Sequence, residues 1–318
     1  MLIPVLLFIV GLLCLIKGGD WFVDGATGIA RRFHVPELLI GATVVSIGTT
    51  LPEVMVSTTS AFTGHGEIAY GNAIGSIICN ASLIAAITIA VKPGKVDPKS
   101  LRTPVLFFFV AAAFYAGVAY TTGYFSRPVG LILLAMFAAY IICNVMAMKN
   151  APAPEEEEEP EENASFAKEL GLLAVGAVLI AVGANLLVDN GTLIAQALGV
   201  PESVIALTFV ALGTSLLVTA ITSLAKGHGA LSLGNVIGAN VFNLVLVSGV
   251  SATVAPFSIP QNSLLFGHNA SLVLEFPVMF AVMLLLTLPA LFKGKLSRPQ
   301  GIALLCIYAA FCVVQFTI

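Results

Sequence analysis

Stretches of about twenty mostly apolar residues follow one another along almost the whole chain, and such a polypeptide has few folds open to it. In hydrocarbon every backbone N–H and C=O must find its partner within the protein, so stretches of this length read as transmembrane helices. Charged residues make up 10% of the 318 positions and hydrophobic residues 58%, whereas a soluble domain averages about a quarter charged. The apolar runs predict ten helices, near residues 2–30, 36–62, 67–91, 101–121, 128–148, 167–196, 201–224, 230–254, 270–291 and 299–317. The fold class expected is therefore an all-α membrane protein with about ten transmembrane helices. The amino terminus, Met-Leu-Ile-Pro, has no basic region and no cleavage site after its apolar run, so it reads as the first span and not as a signal peptide. Cys14, Cys79, Cys143, Cys306 and Cys312 all fall inside spans and read as small apolar packers, not as a disulfide framework or metal cluster.

Orientation follows from the basic residues. With ten spans, one side receives Arg31, Arg32, Lys92, Lys95, Lys99, Arg102, Lys149, Lys168, Lys226, Lys293, Lys295 and Arg298, while the other receives only Arg127. The basic side is expected to be cytoplasmic, which places both termini outside a cell (plasma) membrane.

The chain also carries an internal duplication. Val35-Pro36-Glu37 and Ile47-Gly48-Thr49-Thr50-Leu51 return 165 residues later as Val200-Pro201-Glu202 and Leu212-Gly213-Thr214-Ser215-Leu216. Gly64-His65-Gly66, Gly71-Asn72 and Gly75-Ser76-Ile77-Ile78-Cys79-Asn80 return 163 residues later as Gly227-His228-Gly229, Gly234-Asn235 and Gly238-Ala239-Asn240-Val241-Phe242-Asn243. Ser126-Arg127-Pro128 recurs as Ser297-Arg298-Pro299. Five spans per copy is an odd number, so the second copy enters the membrane upside down, the plan of many secondary transporters. The expected organisation is a first five-helix repeat at 1–148, an acidic cytoplasmic linker at 149–166 holding a run of five glutamates, and an inverted repeat at 167–318. The linker reads as a solvated spacer.

Chemistry concentrates in the second span. Pro52 removes a helix hydrogen bond and displaces the carbonyl about one turn earlier. The freed carbonyls around Ser46, the hydroxyls of Thr49 and Thr50, and the carboxylate of Glu53 then lie within two turns near the midplane. Such an oxygen-only group suits hard cations such as Ca²⁺ or Na⁺. A carboxylate at that depth costs about 2.5–3.5 kcal/mol on insertion scales, which makes a functional reading the default. The third span adds Asn72, Ser76 and Asn80 on one helical face, and the eighth offers Asn235, Ala239 and Asn243 in the same register. Among the remaining polar residues, Asp24 and Asp189 read as helix-end residues, His65 and His228 as turn residues, and Glu275 as facing an interface or lipid headgroups. No His-Glu-x-x-His or activated-serine pattern is present, so an enzyme is not expected.

These motifs resemble those of the calcium:cation antiporters, especially the sodium/calcium exchangers, whose two repeats carry Gly-Thr-Ser-Leu-Pro-Glu and a later Gly-Asn-x-x-Gly-Ser-Asn-x-x-(Asn/Asp). Gly48-Thr49-Thr50-Leu51-Pro52-Glu53 and Gly71-Asn72-Ala73-Ile74-Gly75-Ser76-Ile77-Ile78-Cys79-Asn80 match, with Thr50 for Ser and Ile77 for Asn. The resemblance spans essentially the whole chain. It implies exchange of Ca²⁺ against Na⁺ (or H⁺) by alternating access, with the cations lined by Glu53, Asn80, Ser76, Thr49, Thr50 and the Ser46 carbonyl. From the second repeat it implies Thr214, Ser215, Asn243 and the Ala211 carbonyl. It implies no cofactor beyond the transported cations, and no partner beyond the lipid bilayer; no nucleic acid is expected.

The second repeat departs from the pattern at one place. Its offset falls from 165 to 163, and Leu216 runs directly into Leu217-Val218-Thr219, so Pro52 and Glu53 have no counterparts. Losing two residues rotates the rest of a helix by about 200° and shortens it by about 3 Å. The seventh span is expected to be straighter than the second or to re-register at its end. Ala239 stands where the motif has Ser, and Asn243 is neutral where some relatives carry Asp. A site with Glu53 as its only acid suits Na⁺ or H⁺ better than Ca²⁺, whose affinity tracks ligand charge. The alternatives are a monovalent Na⁺/H⁺ exchanger and a non-transporting homologue.

Overall fold

The computed structural model describes residues 2–33, 46–149, 165–214 and 233–317. In them the chain forms ten helices. The first repeat holds α1 (Leu2–Arg32), α2 (Ser46–Phe62), α3 (Gly66–Val91), α4 (Pro98–Thr121) and α5 (Arg127–Lys149). The second holds α6 (Phe166–Leu198), α7 (Glu202–Thr214), α8 (Leu233–Val254), α9 (Ser271–Lys293) and α10 (Arg298–Gln315). Eight of these are long and apolar enough to cross a bilayer. The other two, α2 and α7, border residues that are not described. The acidic linker and the far half of the seventh span, with its expected straightening, lie outside the described residues.

The two repeats are related by an inverting pseudo-twofold. Its clearest mark is the α1–α6 pair, which packs along its whole length. A side chain at Gly11 would strike Gly183 O, and one at Gly18 would strike Gly176 O. Gly11 and Gly18 align with Gly176 and Gly183 at the offset of 165, so each contact is the other's image, and the equivalent helices run antiparallel. With no hydrophobic drive between helices in lipid, close backbone approach at small residues is what holds such pairs.

The loops repeat the symmetry. After α4, Tyr124 and Phe125 pair antiparallel with Ser258 and Phe257, and Ile259 N–H donates to Gly123 O at 2.9 Å. After α9, Lys95 bridges to Lys295, and Val96 N–H donates to Gly294 O at 2.9 Å. Gly123 and Gly294 both take φ near +60° (62° and 59°), a left-handed conformation that glycine adopts without a Cβ penalty. The shared Ser-Arg-Pro that follows restarts each chain as a helix, with the proline in the first turn, where its missing N–H costs nothing.

Packing divides into two bodies. A large cluster joins α3, α4, α8 and α9 with the inner faces of α5 and α10. A smaller one joins α1, α6 and α7, taking in Val56 and Ile68. Helices α3 and α8 are the most enclosed, whereas α1, α5 and α10 expose Leu6, Leu13, Leu131, Ile142, Ile302 and Val313. Those apolar surfaces are what a lipid-facing rim requires. Cys79 is buried, Cys14 and Cys312 are half-buried, and all five cysteines are unpaired. Cys143 and Cys306 lie exposed on this rim and do not pack in the interior, because one side of each outer helix faces away from the bundle.

Candidate cation-binding site

The residues expected to form a cation site lie where α2 and α3 meet α7 and α8. Helix α2 runs unbroken through Pro52, so the proline subtracts a donor without dividing the helix. The carbonyl four residues earlier, Gly48 O, is the one deprived of its partner. Thr50 and Glu53, three apart on one face, are both buried, with Glu53 only 5% exposed. Oε2 of Glu53 has no hydrogen-bond partner among the described residues, and the carboxyl interacts with the Thr214 hydroxyl. Thr214 Oγ1 in turn donates to Val210 O at 3.1 Å, which fixes its rotamer on α7.

Helix α3 reaches this place because two glycines let it. A side chain at Gly71 would collide with Ala206, and one at Gly75 would collide with the backbone of Leu207 and the Cβ of Ala211. The contact sets Gly75, the residue before Ser76, against Leu207 and Ala211 of α7. Asn72 donates through Nδ2 to Glu53 O at 3.1 Å and to Ser57 Oγ at 2.8 Å, tying α3 to α2 next to the carboxyl. Ser76 Oγ is fully buried without a hydrogen-bond partner among the described residues.

Two features were not anticipated from the sequence. Helices α3 and α8 each contain one wide π-helical turn, at Asn80–Ile84 and Asn243–Val247. Both turns start on equivalent asparagines, and such bulges are frequent at functional sites because they release backbone groups from the regular ladder. The second feature is Asn240, whose Oδ1 accepts from Asn80 Nδ2 at 3.0 Å. The pseudo-twofold image of that bond would join Asn243 to Ile77, and isoleucine cannot take part. Asn243 Oδ1, at the other end of that amide, is also buried without a hydrogen-bond partner among the described residues. The signal for Asn240 was present, since it occupies the motif's Gly-Ser-Asn asparagine in the second repeat where Ile77 replaces it in the first.

Of the ten residues expected at the site, Thr50, Glu53, Ser76, Asn80, Ala211, Thr214 and Asn243 are all buried on facing helices. For Ser46 and Thr49 the helical backbone alone is described, and Ser215 lies outside the described residues. The enclosure offers oxygen ligands and one carboxylate. Among the described residues there is no group of three or more His, Cys, Asp or Glu that could hold a metal ion, and oxygen donors of the kind present suit hard cations.

His65 does more than turn the chain between α2 and α3. Its Nδ1 lies 2.9 Å from Glu202 Oε2, at the start of α7. At the opposite end of the bundle, Arg32 Nε meets Glu169 Oε2 at 2.5 Å, joining the end of α1 to the start of α6. Asp24 and Asp189 are both exposed, as residues with a solvation role and no buried partner would be.

Comparison with known proteins agrees with this architecture. The family model described as "Sodium/calcium exchanger protein" matches residues 3–146 and 168–317, one segment per repeat. An uncharacterized membrane protein of Methanocaldococcus jannaschii is 37% identical over 95% of this chain and 94% of its own length. The sodium/calcium exchanger MaX1 of Methanosarcina acetivorans is 29% identical over 98% of both chains. A structure of the sodium-calcium exchanger NCX_Mj, from a sample soaked with 100 mM Na⁺ and 10 mM Sr²⁺, superposes with a TM-score of 0.64 at 35% identity, covering 98% of each chain. Two inverted repeats, matched separately and together over nearly their full length, place this chain in the sodium/calcium exchanger family.

Proposed function

We propose that the protein exchanges Ca²⁺ against Na⁺ or H⁺ across the cell membrane by alternating access at the α2–α3–α7–α8 site. The single observation that carries this reading is Glu53, a buried carboxyl beside the Thr214 hydroxyl whose Oε2 has no hydrogen-bond partner among the described residues. A charge at that depth is retained when it meets a charge in transit. The cation ligands proposed are Glu53, Thr50, Ser76, Asn80, Thr214, Asn243 and the Ala211 carbonyl, joined by Thr49, Ser215 and the Ser46 carbonyl. The separate α1–α6–α7 cluster supports a mechanism in which α1 and α6 slide together across the larger body. That motion would expose the site first to one side and then to the other.

One observation favours a second reading. Glu53 has no repeat counterpart, so a divalent ion would meet a single negative charge, and a monovalent exchanger built on the same pocket would need no more than that. Radiolabelled Ca²⁺ uptake into Na⁺-loaded proteoliposomes decides between them. The exchanger reading expects uptake by this chain and its loss in Glu53→Gln. Uptake only after insertion of Pro-Glu behind Leu216 would refute Ca²⁺ exchange by the chain as it stands. Na⁺ flux without Ca²⁺ flux would establish the monovalent exchanger.

A further inference from the structure

A second carboxyl is buried as deeply as Glu53 and belongs to none of the residues above. Glu275 lies one turn into α9 and is 0% exposed, so it faces neither lipid headgroups nor an open interface, contrary to the sequence expectation. It ends the π-helical entry turn of α9, and its neighbours come from α3, α4 and α10. Its Oε1 accepts from Gln315 Nε2 at 3.2 Å, and its Oε2 is buried without a hydrogen-bond partner among the described residues. Around it stand Tyr70 of α3, Ser271 of α9 and Gln315 of α10, all fully buried, each with a side-chain oxygen likewise unpartnered among the described residues.

No cation faces it. The titratable groups near it are Tyr70 and Glu67 on α3 and Tyr115 on α4, and Gln315 supplies the contact from α10. A carboxylate in such surroundings needs a positive charge beside it or on it. Aromatic rings pack the space closely, with Tyr115 against Phe125 at 4.2 Å and against Phe276 at 6.0 Å. That packing suits the one cation that needs no coordination shell.

Hydroxyls also lie between Glu275 and the cation pocket. Ser248 Oγ donates to Asn243 O at 3.2 Å and lies 3.5 Å from Tyr115 Oη, and Tyr115 and Tyr70 flank Glu275. In the other direction Glu67, one turn before Tyr70, lines the cleft at the α2–α3 and α6–α7 loops with His65 and Glu202. Hydroxyls and carboxyls in series pass protons, whereas they do not pass metal ions.

We propose that Glu275, with Tyr70, Ser271 and Gln315, forms a second cation site that binds a proton, exchanged with water through the Glu67 cleft. On loading, a proton from water crosses by way of Glu67 and forms an O–H bond at Glu275 Oε2; on unloading that bond breaks and the proton returns by the same groups. The site stands whichever cation Glu53 carries.

Infrared difference spectroscopy on the purified full chain in lipid reads it directly, without requiring transport. The expected result is a carboxylic-acid carbonyl band that is lost in Glu275→Gln, declines as pH is raised and shifts in D₂O. Where Ca²⁺ uptake is active, Glu275→Gln should keep uptake while losing part of its dependence on pH outside. A second variant, Tyr70→Phe, retains the carboxyl, and should keep the band while slowing its exchange with D₂O. Bands identical in wild type and Glu275→Gln would overturn the proposal. So would a Glu275 band that ignores pH, which describes a purely structural acid, or one abolished by Na⁺ at constant pH, which describes a metal site. Unchanged D₂O exchange in Tyr70→Phe would also overturn it.

Discussion

Asn72 shows how one side chain can hold the site without touching a cation. Its amide bridges Glu53 O and Ser57 Oγ from a fully buried position. Replacing it by leucine leaves the Ser57 hydroxyl and the Glu53 carbonyl each without that donor. Such losses cost about 1–3 kcal/mol each when the groups stay buried. Asn72→Leu should therefore lower the thermal midpoint of the purified protein and impair cation uptake, both measurable on one preparation. Unchanged stability would mean that Ser57, which also reaches Ala69 O at 3.3 Å, satisfies itself. At this scale the sequence was partly legible. Glu53, Asn80 and Asn243 announced themselves by motif and repeat. Asn240 was overlooked because its repeat partner is Ile77, and Glu275 was misplaced because a lone acid near a helix start carries no sequence signal of the direction in which it points.

Among the elements, the α1–α6 seam and the α3–α7 crossing depend on glycine for the same reason and should respond differently. A side chain at Gly18 would lie 2.9 Å from Gly176 O and from Ile180 N, both backbone atoms that cannot yield. Overpacking of this kind costs about 1–3 kcal/mol or more, and Gly18→Leu should destabilise the fold by at least that much, read as a lower thermal midpoint. Gly75→Ala intrudes on Leu207 and Ala211 next to Ser76. It should separate α3 from α7 at the site and reduce cation affinity more than it reduces stability. A titration in which Gly75→Ala binds cations as tightly as the parent would show that α3 is not positioned by this contact. The helices themselves and most of their ends were readable from apolar run length, since a bilayer imposes one length on every span. The π turns were not, because they arise where a helix must widen to fit its neighbours and no residue type codes for them.

For the whole molecule, the pseudo-twofold and the distribution of basic residues make one prediction about orientation. A reporter fused to either terminus should be accessible from outside intact cells, and one inserted in the acidic linker should be accessible only after permeabilisation. A terminus found inside would reverse the assignment of both ends together, since ten helices return the chain to the side where it began. With both termini outside, the Arg32–Glu169 pair would lie at the cytoplasmic end of the α1–α6 seam and the His65–Glu202 pair at the outer end.

What the sequence determined by itself was the all-helical membrane fold, the approximate helix count, and the duplication and its inversion. Each is one-dimensional information: length of apolar run, parity of spans, spacing of repeated residues. Tertiary structure alone decided which polar atoms are left without partners. Asn80 donates to Asn240 from the other repeat, the equivalent bond from Asn243 is closed because its symmetry mate is Ile77, and Asn243 Oδ1 has no partner among the described residues. Glu275 lies buried at the end of a π-helical turn, among polar groups as far apart in the chain as Tyr70 and Ser271. Satisfaction of a buried polar group depends on what faces it across the fold, and that depends on packing in three dimensions, which run lengths and spacings do not encode.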